Sequence, residues 1–188
     1  ANDGRFDRCM ERGNRVAVIL PCYNEAPAIA SVVAAFRAAL PQATIHVFDN
    51  SSTDDTAAVA RQAGASVVPV KHRGKGNVVR RMFADVEADI YLMADGDGTY
   101  DPGAARQLID ALIDGGLDMV VGCRTGDTGA TYRPGHKSGT RALPRTVARI
   151  FGDGFTELLP GSRAMSRRYV KSCPCVSKGV VIEAALTT

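Results

Sequence analysis

Residues 16–25 read VAVILPCYNE, an uninterrupted apolar run that ends in a cluster of polar side chains. Five consecutive aliphatic residues are typical of a strand that is covered on both faces, as strands of a parallel sheet are. The following stretch, from Ala28 to Leu40, repeats its large apolar residues at helical spacing. A buried strand followed by an amphipathic helix indicates the first half of a βαβ unit.

The same alternation continues along the chain. Further strands are predicted at 44–48, 66–70, 89–93 and 117–121, with helices at 53–63, 76–85 and 102–113. The helix at 53–63 has Asp54 and Asp55 in its predicted first turn, where acidic side chains suit the helix dipole. Strict β-α repetition predicts an α/β fold, with a mostly parallel sheet flanked by helices on both faces.

The composition is that of one globular domain. The chain has 188 residues, of which 45% are hydrophobic and 23% are charged, and it has no run near the ~18 apolar residues of a membrane-spanning helix. Residues 1–15 are polar and mix both charge signs. They predict a disordered lead-in, so we expect a polar extension over 1–14 and a single domain over 15–188.

Cysteine usage and charge narrow the class of partner. Five cysteines without a CxxC pair favour neither a disulfide framework nor a zinc site, and indicate a reducing compartment. The net charge of +3 argues against a polycation that coats nucleic acid. The segment from Arg124 to Lys171, however, has ten basic and three acidic residues. It predicts an anionic partner, such as a phosphate group or a membrane surface, unless it is simply a solvated face.

Polar groups follow every predicted strand. Because the carboxyl ends of parallel strands share one edge of a sheet, these groups predict a ligand site there. They occupy 21–25, 49–54, 71–76, 95–98 and 122–124.

Asp95 and Asp97 are the most informative pair at that edge. Carboxylates two residues apart on an extended segment can point the same way, and their oxygens suit Mg²⁺ or Mn²⁺ with a diphosphate completing the shell. Gly96 and Gly98 would let the backbone approach the ligand closely. Lys75, between two glycines, predicts a phosphate contact. The alternatives are a polar turn for the acids and a solvated turn for the lysine.

Two other motifs compete with this interpretation. Gly74-Lys75-Gly76 begins like a dinucleotide fingerprint, but position 79 is Val and the motif is not in the first βα turn. The run from Asp95 to Thr99 resembles the nucleophile motif of haloacid-dehalogenase-like phosphatases. On that alternative Asp95 takes up phosphate, with Lys137, Asp153 and Glu157 completing the site.

Six motifs in order along the chain resemble family 2 glycosyltransferases of GT-A fold, and among them the dolichyl- or polyprenyl-phosphate sugar synthases. They are Leu20-Pro-Cys-Tyr-Asn-Glu25, Asp49 with Ser52-Thr53-Asp54, Gly74-Lys75-Gly76, Asp95-Gly-Asp97 with Asp101-Pro102, Val121-Gly-Cys-Arg124, and Gly161-Ser-Arg-Ala-Met-Ser-Arg167.

The resemblance implies a metal-dependent, inverting transfer of a hexose from a nucleotide sugar, of GDP-mannose or UDP-glucose type, to a polyprenyl or dolichyl phosphate. Asp95 and Asp97 would hold Mg²⁺ or Mn²⁺, and Asp97 and Arg124 would be catalytic. The acceptor phosphate would meet Arg124, Arg141 and Arg163. The nucleotide would be bound by Pro21, Tyr23, Asn24, Glu25, Asp49, Lys75 and Asp95.

The resemblance also implies a cytoplasmic protein, peripheral at the cytosolic membrane face, that binds no nucleic acid. Departures from the family pattern lie at Thr99, Pro160, Ser162, Val180, Val181 and Ala185. They leave three alternatives: a GT-A transferase with another acceptor, an inactive binding domain, or a chain truncated at its C-terminus.

Overall fold

The structure, a computed structural model, describes residues 5–11, 13–122 and 162–173. Its strands are β1 (Val16–Cys22), β2 (Thr44–Asp49), β3 (Ser66–Pro69), β4 (Ile90–Ala94), β5 (Met119–Gly122) and β6 (Ser162–Ser166). Its helices are α1 (Arg5–Glu11), α2 (Ala26–Ala39), α3 (Thr56–Gln62), α4 (Lys75–Asp85), α5 (Ala105–Asp114) and α6 (Arg167–Ser172). A 3₁₀ turn, Pro102–Ala104, precedes α5.

The six strands form one sheet in the order β3-β2-β1-β4-β6-β5. β1 pairs in parallel with β2 and β4, and β2 pairs in parallel with β3. β6 is antiparallel to both of its neighbours, β4 and β5. The predicted α/β class with a mostly parallel sheet is therefore confirmed, while the insertion of β6 between β4 and β5 was not predicted.

Helices cover both faces, which explains the continuous apolar runs of the strands. On β1, Val18 and Leu20 face the cluster formed with α1, α2, α3 and α5. Ala17 and Ile19 face the opposite cluster, which contains residues of α4 and α6. Because alternate side chains of each strand are buried on opposite faces, polar positions would be costly on either side.

Two predictions about local structure are wrong. The N-terminal segment is not a disordered lead-in, because α1 buries Phe6 and Cys9 in the core. Arg106 on α5 holds it: the guanidinium donates to the carbonyl of Ala39 at 2.8 Å and lies 5.0 Å from the centre of the Phe6 ring. The second wrong prediction is that Asp54 and Asp55 lie in the first turn of a helix at 53–63. That helix, α3, begins at Thr56, so both acids precede it.

Several predicted features fall outside the described residues. These include Arg124, Arg141 and Lys137, the acids Asp153 and Glu157, and the departures at Pro160, Val180, Val181 and Ala185. No helix in the ranges that the structure describes is long and apolar enough to cross a membrane.

Candidate active site

The loops after β1 and β2 are joined by hydrogen bonds at the carboxyl edge of the sheet. Asn24, in the left-handed region at φ 56°, accepts at Oδ1 from the Thr53 amide at 2.8 Å, and its own amide donates to Ser52 Oγ at 2.9 Å. The Glu25 amide donates to Thr56 Oγ1 at 2.8 Å. The side chains of one loop thus satisfy the backbone of the other, and the predicted nucleotide-binding residues Asn24 and Glu25 are held in place.

The loop after β3 is attached to this assembly by Asn50. Its side-chain amide donates to the carbonyls of Val70 and His72 at 3.2 and 2.8 Å, and its Oδ1 accepts from the Gly74 amide at 2.8 Å. Asn50 is only 8% exposed. No role was predicted for this residue from the sequence. The available signal was an Asn-Ser pair directly after a strand, since these side chains commonly bind nearby backbone groups.

The segment after β4 carries Asp95 and Asp97 to the same edge. Asp97 Oδ1 accepts from the amide of Thr99 at 2.9 Å and from its hydroxyl at 2.7 Å. Thr99, a departure from the family pattern, therefore orients the second aspartate. Glycine at position 96 also allows a close approach within the protein, because a Cβ there would collide with Sγ of Cys22 at the end of β1.

Lys75 reaches this pair from the start of α4. Its Nζ lies 2.9 Å from Asp95 Oδ1, and both side chains are about one-third exposed. Gly74, at φ 119°, turns the chain into the helix. Lys75, for which the sequence predicts a phosphate contact, has a carboxylate as its partner in the structure.

Negative charge is concentrated around the ends of β1 and β4. Burial raises the pKa of the Glu25 carboxyl, and the carboxylates of Asp97, Asp95 and Asp54 raise it further. Burial also strongly raises the pKa of the Cys22 thiol, with added effects of Glu25, Asp49, Asp95 and Asp97. Carboxylates from three different loops therefore act on one small region, which a cation would stabilise.

A divalent metal ion at this edge would have to be held by few protein ligands. Among residues 5–11, 13–122 and 162–173, no three histidine, cysteine or acidic side chains are grouped closely enough to hold one. Asp95 and Asp97 each have one carboxylate oxygen engaged at Oδ1. Mg²⁺ is commonly held by one or two carboxylates together with substrate phosphates, and Mn²⁺ accepts the same oxygen ligands, so two aspartates fit this mode of binding.

The remaining residues that were predicted to bind the nucleotide lie at the same edge of the sheet. Asp49 is 9% exposed and accepts from the Ser52 amide at 3.3 Å. Tyr23 is 45% exposed, and the Arg73 guanidinium lies 5.1 Å from the centre of its ring. Pro21 lies within β1 and is half-buried. Arg73 is a second residue of this region for which the sequence predicted no role.

The described part of the basic segment has a different environment. Arg163 is 1% exposed, in β6 between Met93 and Val121. The other members form ion pairs beside the opposite edge of the sheet: Arg167 and Lys171 with Glu87, and Arg168 with Asp118. Arg163 is thus packed inside the sheet, whereas Arg167, Arg168 and Lys171 form partly exposed ion pairs. The predicted anion-binding face would therefore depend on residues before 162.

A groove of about 380 Å³ also lies at that opposite edge. It is lined by apolar residues of α5 and its following turn, with Asp118, Ser166 and Arg168. It is remote from the aspartate pair, because the parallel strands begin at this edge and end at the other.

Comparison with known proteins agrees with this geometry. Residues 17–173 match the model of glycosyl transferase family 2. The chain is 60% identical over 124 residues to the protein RfbJ of Shigella flexneri, an alignment covering 65% of this chain and 95% of RfbJ. It is 29% identical over 189 residues to a polyprenol monophosphomannose synthase of Mycolicibacterium smegmatis, covering 92% and 71% of the two chains.

A solved structure gives the same fold. Glucosyl-3-phosphoglycerate synthase from Mycobacterium tuberculosis, in complex with Mn²⁺, uridine diphosphate and glucosyl-3-phosphoglycerate, superposes with a TM-score of 0.79 at 26% identity. The match covers 98% of this chain and 67% of that one, and several other curated relatives are matched over about half of their length. Since the family model spans most of the sheet and the aspartate site, the chain belongs to glycosyl transferase family 2.

Proposed function

We propose that this chain is a metal-dependent, inverting hexosyltransferase that uses a nucleotide-sugar donor and a polyprenyl or dolichyl phosphate acceptor. The observation that best supports this function is that Asp95, Asp97 and Lys75 lie together at the carboxyl edge of the sheet. A phosphatase that uses Asp95 as nucleophile loses its support, because the chain matches a glycosyltransferase family over 17–173.

The donor is proposed to lie across the loops joined by Asn24 and Asn50. Pro21, Tyr23 and Asp49 would line the nucleoside pocket, and Lys75 would bind the diphosphate. Asp95 and Asp97 would hold Mg²⁺ or Mn²⁺, which neutralises charge on the departing nucleoside diphosphate. Thr99 keeps Asp97 in its orientation through the two bonds to Oδ1, and the packing of Gly96 on Cys22 fixes the backbone between the two acids.

The acceptor needs little activation by the protein. A phosphate monoester with a second pKa of about 6 is largely ionised at neutral pH. Its oxygen can attack the anomeric carbon directly while the bond to the diphosphate breaks. Arg124 and Arg141 are proposed to orient that phosphate, since guanidinium groups match its geometry. Arg163, buried in β6, would support this region from within the sheet. The reaction would take place at the cytosolic face of a membrane.

A soluble phosphorylated acceptor is the second candidate. It is favoured by the structural similarity to a synthase crystallised with glucosyl-3-phosphoglycerate. Both acceptors carry a phosphate monoester, so the same arginines could serve either one.

The test is transfer from radiolabelled UDP-glucose and GDP-mannose, with Mn²⁺, to a short polyprenyl phosphate or to 3-phosphoglycerate. We expect Asp97→Asn to abolish transfer, while Asp55→Asn, which removes an equal charge from the same edge, leaves it intact. Arg124→Ala should raise the acceptor KM far more than the donor KM, with Arg133→Ala as control. Full activity of Asp97→Asn would refute the metal assignment, and transfer to 3-phosphoglycerate alone would favour the second candidate.

A further inference from the structure

Lys75 makes its ion pair with the aspartate that is proposed to hold the metal. The Nζ–Oδ1 distance of 2.9 Å is that of a direct, charge-assisted hydrogen bond. The base of the side chain is fixed, because Gly74 before it is held by Asn50 and residue 75 itself opens α4. The ammonium group, by contrast, is carried on a four-carbon stem that can swing over several ångströms.

An ammonium group at this position disfavours the binding of a divalent cation to Asp95. Both would use the carboxylate of Asp95, and two positive charges within a few ångströms repel each other. The surrounding carboxylates of Glu25, Asp49 and Asp97 do not remove the conflict, because a metal bound to Asp95 would still face the lysine. A nucleoside diphosphate changes this balance, since its oxygens give the ammonium group another anion within reach.

We propose that Lys75 competes with the divalent cation for Asp95 and is drawn off it by the donor's diphosphate, so that metal and nucleotide strengthen each other's binding. This inference rests on the proposed function, which assigns Asp95 and Asp97 to the metal. It goes further in making the phosphate-binding lysine an inhibitor of metal binding when no nucleotide is present. By linkage, the factor by which nucleotide tightens the metal equals the factor by which metal tightens the nucleotide.

The decisive experiment measures Mn²⁺ binding by the electron paramagnetic resonance of free Mn²⁺, first with Mn²⁺ alone and then with UDP or GDP. For Lys75→Gln we expect Mn²⁺ alone to bind roughly three- to tenfold more tightly, the range that a partly exposed ion pair and the lost repulsion allow. Binding of the nucleotide should become weaker in the same variant. Lys75→Arg keeps the charge and should keep the low Mn²⁺ affinity.

The controls separate this inference from the function on which it rests. Lys71→Gln removes a lysine from the same loop, and should leave Mn²⁺ binding unchanged. If Lys75→Gln weakens Mn²⁺ binding or leaves it unchanged, while Asp97→Asn abolishes it, the competition is refuted and the metal site stands. If the unmodified protein binds no Mn²⁺ with or without nucleotide, both the metal assignment and the competition are refuted.

Discussion

The contact between Gly96 and Cys22 can be tested as a double-mutant cycle. In Gly96→Ala the added methyl group would overlap Sγ of Cys22, whereas its next contacts, with Cδ1 of Ile29 at 3.5 Å and Cβ of Cys22 at 3.7 Å, are ordinary. The conflict is therefore with one sulfur atom. In a Cys22→Ala background the new methyl group would occupy the space that the sulfur leaves.

The structure sets the size of each effect. Overpacking a core position costs about 1–3 kcal/mol, so we expect Gly96→Ala to lower the free energy of unfolding by that amount. Cys22→Ala removes one heavy atom from a site that is 3% exposed, at a cost of about 1 kcal/mol. If the changes were independent, the double variant would lose about 2–4 kcal/mol. We expect it to lose at most about 1 kcal/mol instead, because the overlap is removed and the new methyl group fills part of the cavity.

Urea denaturation of the four proteins provides the measurement, with equal m-values as the condition for comparing them. A coupling near 2 kcal/mol corresponds to a recovery in Tm of roughly 4–8 °C for a domain of this size. Binding of UDP or GDP with Mn²⁺ should follow the same pattern, lost in Gly96→Ala and restored in the double variant. Additive losses of stability would refute the packing argument, since they would mean that the two positions do not meet.

Three further outcomes are expected. Phe6→Ala should lower the free energy of unfolding by roughly 3 kcal/mol in urea denaturation, because the ring is 2% exposed; a loss under 1 kcal/mol would contradict the docking of α1. Glu25→Gln should stabilise the protein at pH 7 and lose that advantage below about pH 4. The raised pKa of Glu25 makes its ionised form unfavourable in the folded state, so the stability of the unmodified protein falls as the pH rises through that pKa. Thermal unfolding against pH checks this, and an advantage that persists at pH 3.5 would contradict it. Thr99→Val should raise the Kd of the Mn²⁺–nucleotide complex about tenfold, because Asp97 loses its hydroxyl donor. Thr99→Ser, which keeps the hydroxyl, should have a Kd near the unmodified value, and calorimetry measures both. Equal affinities in all three proteins would show that Asp97 needs no support from Thr99.

The sequence was most informative where local pattern and tertiary burial agree. β1 and β4 are continuous apolar runs because both of their faces are covered, and that pattern is visible without a structure. β6 offers no such signal. Its residues, Ser-Arg-Ala-Met-Ser, include no β-branched side chain, and a fully buried arginine would not be expected in a strand flanked on both sides. The neighbouring strands, not local propensity, determine its conformation.

In the candidate site, too, some residues could be identified from the sequence pattern and others only from the structure. Asp95, Asp97 and Lys75 could be found because charged side chains that directly follow buried parallel strands are typical of a ligand site. The role of Asn50 could not be predicted, because its three side-chain hydrogen bonds all go to backbone groups of a loop whose course the sequence does not reveal. The packing of Gly96 on Cys22 could not be predicted either, since it depends on the distance between the ends of the neighbouring strands β1 and β4.

The place of β6 also affects the order in which the protein can assemble during synthesis. β4 can pair with β1 on one side once both strands have left the ribosome. The native partner of its other edge, Ser162–Ser166, becomes available only after residues 95–161 have been made. At about 5–20 residues per second this interval lasts on the order of 3 to 13 s. During that time we expect the nascent chain to expose an apolar strand edge that can pair with other chains. Chaperone contacts with the nascent chain should therefore be concentrated in that interval.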